Sequence, residues 1–419
     1  MRFVHRLFTP IIGAAILLAA GCEKSKPAQA DIPSGPTILV AQAQFVDEVG
    51  PDGKTTSTPG PARLVILSQS GREWKRDVLE DPDCIVFHKA VFFTDPGDAS
   101  AERGILTIAA NWAPKPALAK IWHHTDDGWS AKTIWETTFG GKQNRLRDFE
   151  VGDVTGDGSP DIVIVTHDQG VVVVLTRSSD GWKATELDRK PGTWIHEVEL
   201  ADLDGDGLAE IYTTPSQPNR LNGTSQPGQI VAYRHTADGF ERVVVESFAK
   251  RHPKEILAAD IDGRPCLIAA VEADLGKEPN PQPDSDKVVL KRYRIEDGQY
   301  VGQEVCALPD KMCRFLNAGD LDGDGKPEVT ASMHKIGLWM ARPGPGQWKT
   351  ELIERNSGGF EHATVLADLD GDGTQEIYVA ADSQQQVCRY RRTDGRWQRD
   401  VLYDIENDKI CFGITAGVW

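Results

Sequence analysis

Four acidic loops of nearly the same sequence recur along the chain. Three read Asp-Leu-Asp-Gly-Asp-Gly with a Glu in the ninth place, and in a fourth, close copy a Thr replaces the second acid. Carboxylate oxygens are hard ligands that suit calcium, and a glycine-containing loop can wrap them around one ion. The candidate ligands are Asp153, Asp157, Asp161, Asp202, Asp204, Asp206, Glu210, Asp320, Asp322, Asp324, Glu328, Asp368, Asp370, Asp372 and Glu376. The pattern therefore predicts about four calcium ions.

The residues after each loop indicate what the calcium does. Glu-Ile-Tyr-Val and Asp-Ile-Val-Ile are typical of a strand, and the Glu that an EF-hand carries in the twelfth place is missing. Because every protein ligand comes from one loop, we expect the ion to fix a hairpin between two strands. A role as ligand bridge or Lewis acid is the alternative. Two degenerate loops, at Asp95 and Asp260, lack the later ligands, and we expect them to be empty.

Basic and imidazole side chains stand six residues before the first acid of each loop. They are Arg147, His196, Lys254, Arg314 and His362, and the same count from Asp95 falls on Lys89, with His88 beside it. Grouped together, these side chains would bind a carboxylate, sulfate or phosphate group, or an acidic sugar. His88, His196 and His362 are also candidates for a general base or a metal ligand. The alternative is that the cations pair with Asp148, Glu197 and Glu255, which directly follow three of them.

Short strands must position both sets of residues. A turn with Gly is followed within two residues by an aromatic side chain seven times, and Asp-Gly between alternating runs is a hairpin signal. The spacing of about 48 to 60 residues is typical of four-stranded propeller blades. The aromatic residues are Trp74, Trp129, Trp182, Phe240, Tyr300, Trp348 and Trp397.

The two ends of the chain complete this pattern. Residues 37–45, 62–68 and 74–79 are predicted to be the second, third and fourth strands of a blade that lacks a first strand, and residues 412–419 supply one. We therefore predict an all-β fold, a seven-bladed β-propeller over residues 36–419 closed by strands from both termini. In a propeller each first strand faces the axis, so the basic residues would lie at the mouth of a central funnel, opposite the calcium loops.

The same face should carry the long loops between second and third strands. These loops are residues 46–61, 215–228 and 272–286, and long loops on a rigid scaffold are where binding usually occurs. Trp112, Trp194 and Phe360 could stack on a sugar there, although packing is the commoner role of an aromatic side chain in such a fold.

The acidic loops resemble the calcium loops of FG-GAP/VCBS repeat propellers, the family that includes the integrin α-subunit head. The resemblance covers nearly all of residues 36–419, although the Phe-Gly-Gly-Ala-Pro sequence itself is absent. It implies a propeller fold and bound calcium. It does not select one function, because members include adhesion receptors, surface-binding proteins, and sugar lyases or dehydratases.

The N-terminus is typical of an exported protein. Basic residues precede an apolar run that ends in Leu-Ala-Ala-Gly-Cys22, which resembles a bacterial lipobox. We therefore predict a signal peptide over residues 1–21, a lipidated Cys22 and a flexible tether over residues 22–35, giving a membrane-anchored lipoprotein of the cell envelope. Glu23 favours the outer membrane over the inner one. An ordinary signal peptide with an incidental Cys is the alternative.

Composition narrows the function further. The 419 residues carry a net charge of −17, with 26% charged and 7% aromatic residues, which indicates a soluble globular domain and argues against nucleic-acid binding. Six further cysteines follow Cys22, and Cys306 and Cys313 could form a disulfide in an oxidising compartment.

We expect a monomer that binds a ligand or partner, anionic or carbohydrate, at its funnel face. One alternative is a carbohydrate-active lyase or dehydratase that uses the funnel histidines and basic residues. A second is a purely structural assembly module.

Overall fold

The structure is a computed structural model that describes residues 35–49, 54–98, 102–219, 223–276 and 286–419. The predicted signal peptide, Cys22 and almost all of the predicted tether lie outside these residues. Within the described ranges the chain is all-β, and no helix there could cross a lipid bilayer.

Strands account for nearly all of the regular structure. The first twelve are β1 (Pro36–Val49), β2 (Thr55–Pro59), β3 (Ala62–Ser70), β4 (Glu73–Asp81), β5 (Val86–Thr94), β6 (Arg103–Trp112), β7 (Ala117–Thr125), β8 (Gly128–Thr137), β9 (Gln143–Gly152), β10 (Asp161–Thr166), β11 (Val172–Ser178) and β12 (Gly181–Asp188). The next eight are β13 (Trp194–Ala201), β14 (Glu210–Ser216), β15 (Gly228–Thr236), β16 (Gly239–Phe248), β17 (Pro253–Ile261), β18 (Arg264–Val271), β19 (Val288–Glu296) and β20 (Gln299–Leu308). The last nine are β21 (Cys313–Gly319), β22 (Glu328–Met333), β23 (Leu338–Arg342), β24 (Lys349–Glu354), β25 (His362–Ala367), β26 (Glu376–Ala381), β27 (Gln386–Thr393), β28 (Arg396–Asp404) and β29 (Lys409–Val418).

The strands pair in groups of four that follow the sequence. β13 to β16, β17 to β20, β21 to β24 and β25 to β28 each form a separate four-stranded antiparallel sheet. β5 to β8 and β9 to β12 pair in the same order, and β6 also pairs with the beginning of β9. The predicted Asp-Gly turns build several of these hairpins. Asp297 and Asp394 have φ of 49° and 52° and their following glycines are also positive, which is the backbone that a two-residue primed turn requires.

The sheet at the chain ends contains strands from both termini, as predicted. β29 pairs antiparallel with β1, from Pro36 opposite Val418 to Gln44 opposite Lys409. On its other side β1 pairs with β3, and β3 pairs with β4. The far half of β1 also pairs with β2, which lengthens this hairpin beyond the sheet.

The core lies between neighbouring sheets rather than inside any one of them. β10, β22 and β26 are buried along their whole length, because side chains on both faces of these strands contact other sheets. Tyr212 and Ile230, for example, pack against Leu267 and Tyr293 of the following sheet. Burial on both faces explains the apolar runs of β10 and β26, whereas β22 alternates and buries Thr330 and Ser332 on one of its faces.

The first strand of each group lies on the inside of the assembly. β5, β9, β13, β17, β21 and β25 each contact the next in this series, and β29 contacts both β25 and β5. Their beginnings therefore meet around one central space. This arrangement of four-stranded sheets is consistent with a β-propeller.

The cysteines in the described ranges are all buried and free. Cys306 and Cys313 do not form the disulfide that their spacing allowed. Burial raises the pKa of both thiols to about 12, so they are packed, protonated side chains.

Candidate functional site

One cavity of about 320 Å³ lies where the inner strands begin. In six of these strands the ladder skips a residue just there, and a skipped residue turns its side chain out of the sheet. The skipped residues that line the cavity are His88, Arg147, His196, Lys254, Arg314 and Phe412; in β13 the ladder also omits Glu197. Glu361, which directly precedes β25, lines the cavity as well. Six inner strands and the residue before the seventh therefore contribute to the cavity lining.

The sequence-predicted ligand residues reach this cavity with two exceptions. Arg147, His196, Lys254, Arg314 and His88 line it. Lys89 and His362 do not line it. The count of six residues assumed that the same position faces inward in every inner strand, and β5 and β25 differ.

His362 was wrongly predicted because β25 has no skipped residue. His362 stays in the ladder opposite Ala381 and is completely buried away from the cavity, so that Glu361 takes the inward place. The imidazole bonds to Met333 O at 2.9 Å and to Ser357 Oγ at 2.7 Å. Burial lowers its pKa to about 4, and His362 is thus a neutral core histidine.

Lys89 was wrongly predicted because β5 skips its residue one place earlier, at His88. The Lys89 ammonium lies deeper along the axis, 2.9 Å from Asp148 Oδ1 and 2.5 Å from Glu150 Oε1. It is therefore part of an ion-paired layer beneath the cavity, and the ion-pairing alternative is the correct one at this position.

The cavity cations differ in whether an acid holds them. Arg314 Nη2 donates to Glu361 Oε1 at 3.0 Å, and Lys254 donates to Glu255. Arg147 is only 8% exposed, and among the described residues its Nε has no hydrogen-bond partner and its guanidinium forms no ion pair. Burying a cation in this way is costly unless something else in the cavity compensates it.

Three imidazoles and an indole line one side of the cavity. The ring centroids of His167 and Trp194 are 4.3 Å apart, those of His167 and His196 are 4.9 Å apart, and those of His196 and His252 are 5.0 Å apart. His196 Nδ1 and His252 Nε2 are buried and have no partner in the described part of the chain. The described residues therefore leave the hydrogen-bonding capacity of both atoms unmet.

The imidazoles are neutral near pH 7. Burial lowers the pKa of His167 to about 4 and lowers the pKa of His88 and His196 well below the usual value, and nearby arginines and histidines add to this. Burial lowers the pKa of His252 as well, although Glu272, whose Oε2 lies 3.7 Å from His252 Nδ1, opposes the shift. Among the described residues, no cluster of histidines has metal-ligand spacing.

Sequence reasoning missed several side chains of the cavity, including Arg145, His252, Glu272 and Glu361. A signal was present for the first two. Arg145 and His252 stand two residues before Arg147 and Lys254, and residues two apart in a strand point the same way. Glu272 follows the second strand of its group and could not be placed without the fold.

The acidic loops fold in the way their glycines predict. Asp368 Oδ1 accepts the backbone N–H groups of Gly371 and Asp372 at 2.7 and 3.1 Å, and Oδ2 accepts that of Gly373 at 2.9 Å. Both glycines have positive φ, 74° and 90°, which other residues rarely adopt. The loops that begin at Asp153, Asp202 and Asp320 show the corresponding bonds.

The donor set of these loops fits a calcium ion. In three loops the carboxylate oxygens of three acids lie within 4.8 Å of one another. The last acid is buried, and burial together with a neighbouring Asp raises the pKa of Glu210 and Glu376 to about 7. Crowded acids of this kind are stabilised by a cation. The groups are Asp202, Asp204 and Asp206; Asp320, Asp322 and Glu328; and Asp368, Asp370 and Glu376.

The Asp320 loop already has a positive neighbour. Arg342 Nη1 donates to Asp322 Oδ2 and to Glu328 Oε1, both at 2.6 Å. A calcium ion in this loop has to share these two carboxylates with the guanidinium, so we expect it to bind there more weakly than in the other loops.

The degenerate loops have other structures. Asp262 and Gly263, with φ of 59° and 71°, form a tight turn that joins β17 directly to β18. Asp95 accepts hydrogen bonds from Arg177 Nε at 2.8 Å and from Gly97 N at 3.0 Å.

A protein-family model described as an FG-GAP-like repeat matches the chain from residue 153 to residue 213. Residues 153–213 form an FG-GAP-like repeat. The FG-GAP-like repeat begins at the first acid of one loop, contains the whole Asp202 loop and ends within β14, so it spans the outer three strands of one sheet and the inner two of the next. The resemblance to FG-GAP propellers is confirmed for this stretch.

Solved structures support the same fold. No curated protein sequence matches the chain. A protein from Lactobacillus plantarum matches with a TM-score of 0.56 and 12% identity over 91% of this chain and 99% of its own. A candidate 6-phosphogluconolactonase from Bacteroides uniformis matches with a TM-score of 0.53 and 11% identity over 92% of this chain and 100% of its own. Both neighbours are propeller-like, and at such identities the likeness concerns the fold alone.

Proposed function

We propose that this protein is a calcium-stabilised, seven-bladed β-propeller, anchored to a membrane, that binds an organic anion in its central cavity. The observation that carries the binding function is Arg147, a buried guanidinium without an acidic partner in the described ranges, facing a cavity with other unpartnered polar atoms. A carboxylate would pair with Arg147 and can accept a hydrogen bond from the N–H group of His196 or His252.

Seven blades are supported by the order of the inner strands. β5, β9, β13, β17, β21, β25 and β29 contact one another in a series that returns to its start. Each begins or continues a run of four paired strands, with β29 completing the run of β1, β3 and β4.

The calcium and membrane parts of the proposal have different support. Calcium is supported by the acidic groups and by loop glycines with positive φ. Membrane anchoring through Cys22, with the outer membrane as its place, is supported by the sequence of residues 1–23.

Calorimetry with Arg147→Gln tests the binding function. We expect wild-type protein to bind at least one of acetate, glucuronate, phosphate and sulfate. The substitution should weaken that binding at least tenfold, because hydrogen bonds to a charged group contribute about 1.5–3 kcal/mol.

Arg396→Gln is the matched control, since Arg396 is exposed and begins β28, directly after the turn that joins β27 to β28. Binding of the same anion with equal affinity by wild type and Arg147→Gln would contradict the proposed site.

A lyase or dehydratase acting on an acidic sugar is the second candidate. It is favoured by the neutral His196 and His252 beside Arg147, since β-elimination needs a base and a cation for the developing negative charge. Incubation with uronate-containing polysaccharides, followed by ultraviolet absorbance of an unsaturated product, tests this activity. No product from wild-type protein, under conditions in which the sugar binds, would exclude it for those sugars.

A further inference from the structure

The 320 Å³ cavity lined by Arg147 is called the anion cavity below. A second cavity, of about 230 Å³, opens beside it and is mainly apolar. It lies between the terminal sheet and β5, β6 and β9, and we call it the side groove. Its walls include Phe45, Pro59, Ile85, Val86, Trp112 and Phe412. Its floor is a small apolar cluster of Ala43, Val86 and Ala110.

The side groove adjoins the anion cavity. His88, Arg145 and Phe412 line both spaces and form the wall between them. The His88 ring lies edge-on to Phe412, with centroids 5.0 Å apart, and His88 Nδ1 bonds to Leu146 O at 2.6 Å. These contacts fix the shared wall, and Arg145 lies where the apolar and the cationic parts meet.

The groove leaves apolar surface exposed at its rim. Trp112 is 49% exposed and Val46, on the β1–β2 hairpin, is 45% exposed. Polar groups of the wall bond to one another or to the backbone: the Asn111 amide nitrogen donates to Asp83 O and Pro116 O, and the Gln143 amide oxygen accepts from Arg145. Exposed apolar surface beside a polar site is typical of a surface that a ligand covers.

We propose that the ligand is an amphiphilic carboxylate, whose carboxylate binds at Arg147 and whose alkyl chain lies in the side groove between Trp112 and Phe412. This inference rests on the proposed anion binding and adds the class of ligand. The argument is that a cationic cavity and an apolar groove adjoin, which matches a molecule that is charged at one end and apolar at the other. A hydroxylated sugar acid would leave its polar groups unpaired against the groove.

A homologous series of acids tests the inference. We measure binding of acetate, butanoate, hexanoate, octanoate and decanoate by calorimetry, below their aggregation concentrations. Affinity should rise with each added methylene, by up to about fourfold, until the groove is filled, because burying a methylene contributes about 0.8 kcal/mol. Octanoate should also bind more tightly than glucuronate.

Two substitutions of exposed aromatic residues separate the groove from the cavity. Trp112→Ala should weaken octanoate at least threefold and leave acetate unchanged, since Trp112 lines only the groove. Phe360→Ala is the matched control: Phe360 is 56% exposed and lines only the anion cavity, so both acids should change by the same factor. Because both side chains are largely exposed, we expect both variants to fold. A melting temperature close to that of wild type would exclude misfolding.

The failures are distinguishable. Acetate binding that does not strengthen along the series, or a Trp112→Ala variant in which octanoate binds as in wild type, would overturn the inference and leave anion binding intact. If no acid of the series and no other anion binds, the proposed function fails, and the inference fails with it.

Discussion

Among the described residues, Arg147 differs from the other cations around the axis in having no acid within ion-pairing distance, although the charges of Glu361 and Glu197 are close enough to interact with it. Arg314 is bound by Glu361, Lys254 by Glu255 and Lys89 by Asp148, and each pair recovers part of what burial costs. An unpaired buried charge costs several kcal/mol of folding free energy. Such a cost is expected where a side chain serves a ligand rather than the fold.

Replacing Arg147 by methionine should therefore separate stability from binding. We expect Arg147→Met to raise the free energy of unfolding in the absence of ligand, by about 1 kcal/mol or more, because a methionine fills much of the same space without a charge. The variant should bind no anion. Urea unfolding of wild type and variant measures the change, with Arg396→Met as control, and a variant less stable than wild type would contradict this account.

His362 gives a prediction about pH. Its pKa is about 4 in the folded protein, because burial disfavours the charged ring, whereas an unfolded histidine titrates near 6.5. Between these values the unfolded state binds a proton that the folded state does not, so stability falls as the pH decreases through this window.

We expect the pH slope of the unfolding free energy between pH 6 and 4.5 to be smaller by about one proton in His362→Gln than in wild type. Denaturant titrations at several pH values give this slope. His235→Gln, which removes an exposed imidazole from the hairpin of β15 and β16, is the control for the substitution. Equal slopes for wild type and His362→Gln would show that His362 is not buried as a neutral ring.

At the scale of elements, the acidic loops join the first and second strands in four of the groups. Each gathers three or more carboxylates over a short span, and the last one is buried. Their mutual repulsion opposes folding of the turn until a cation compensates it.

We therefore expect chelation to lower the melting temperature, and calcium to restore it. At a hundredfold excess over its dissociation constant, one bound ion contributes about 2.7 kcal/mol to stability. Asp204→Asn should reduce the calcium-dependent shift, whereas Asp238→Asn, in an ordinary hairpin turn, should not. An identical melting temperature with and without chelator would contradict calcium binding.

The elements also show what the sequence could and could not predict. Strand order and the pairing of β1 with β29 followed from repeated turns and from the incomplete sets of strands at the two ends. The inward position of Arg147 followed from a fixed count back from the loop. The same count failed at Lys89 and His362, because the place at which a ladder skips a residue depends on packing against the neighbouring strand rather than on local sequence.

At the scale of the whole molecule, the cavity needs strands from every part of the chain. Phe412 of β29 lines both the anion cavity and the side groove, and β29 also covers the edge of β1. Loss of β29 would expose that edge and open the central space.

A chain that ends at Asp408 should therefore lose anion binding and unfold at a lower urea concentration than the full chain. A chain that lacks only Trp419 should lose much less anion binding and stability, because the Trp419 side chain packs against Phe92 and Trp129 outside the cavity. Calorimetry and urea unfolding of both truncations measure this. Binding by the shorter chain as tight as that of the full chain would contradict a role for β29.

The pairing of β1 with β29 also sets an order in time. The side chains of Gln42 and Cys411, which bond to each other in this sheet, are separated by 369 residues of sequence. While the chain folds, β1, β3 and β4 can pair early, but one edge of β1 stays unpaired until β29 reaches it. Closing so long a segment is entropically costly and slow. We therefore expect this sheet to be the last to form, and until it forms Phe412 is missing from the wall of the cavity.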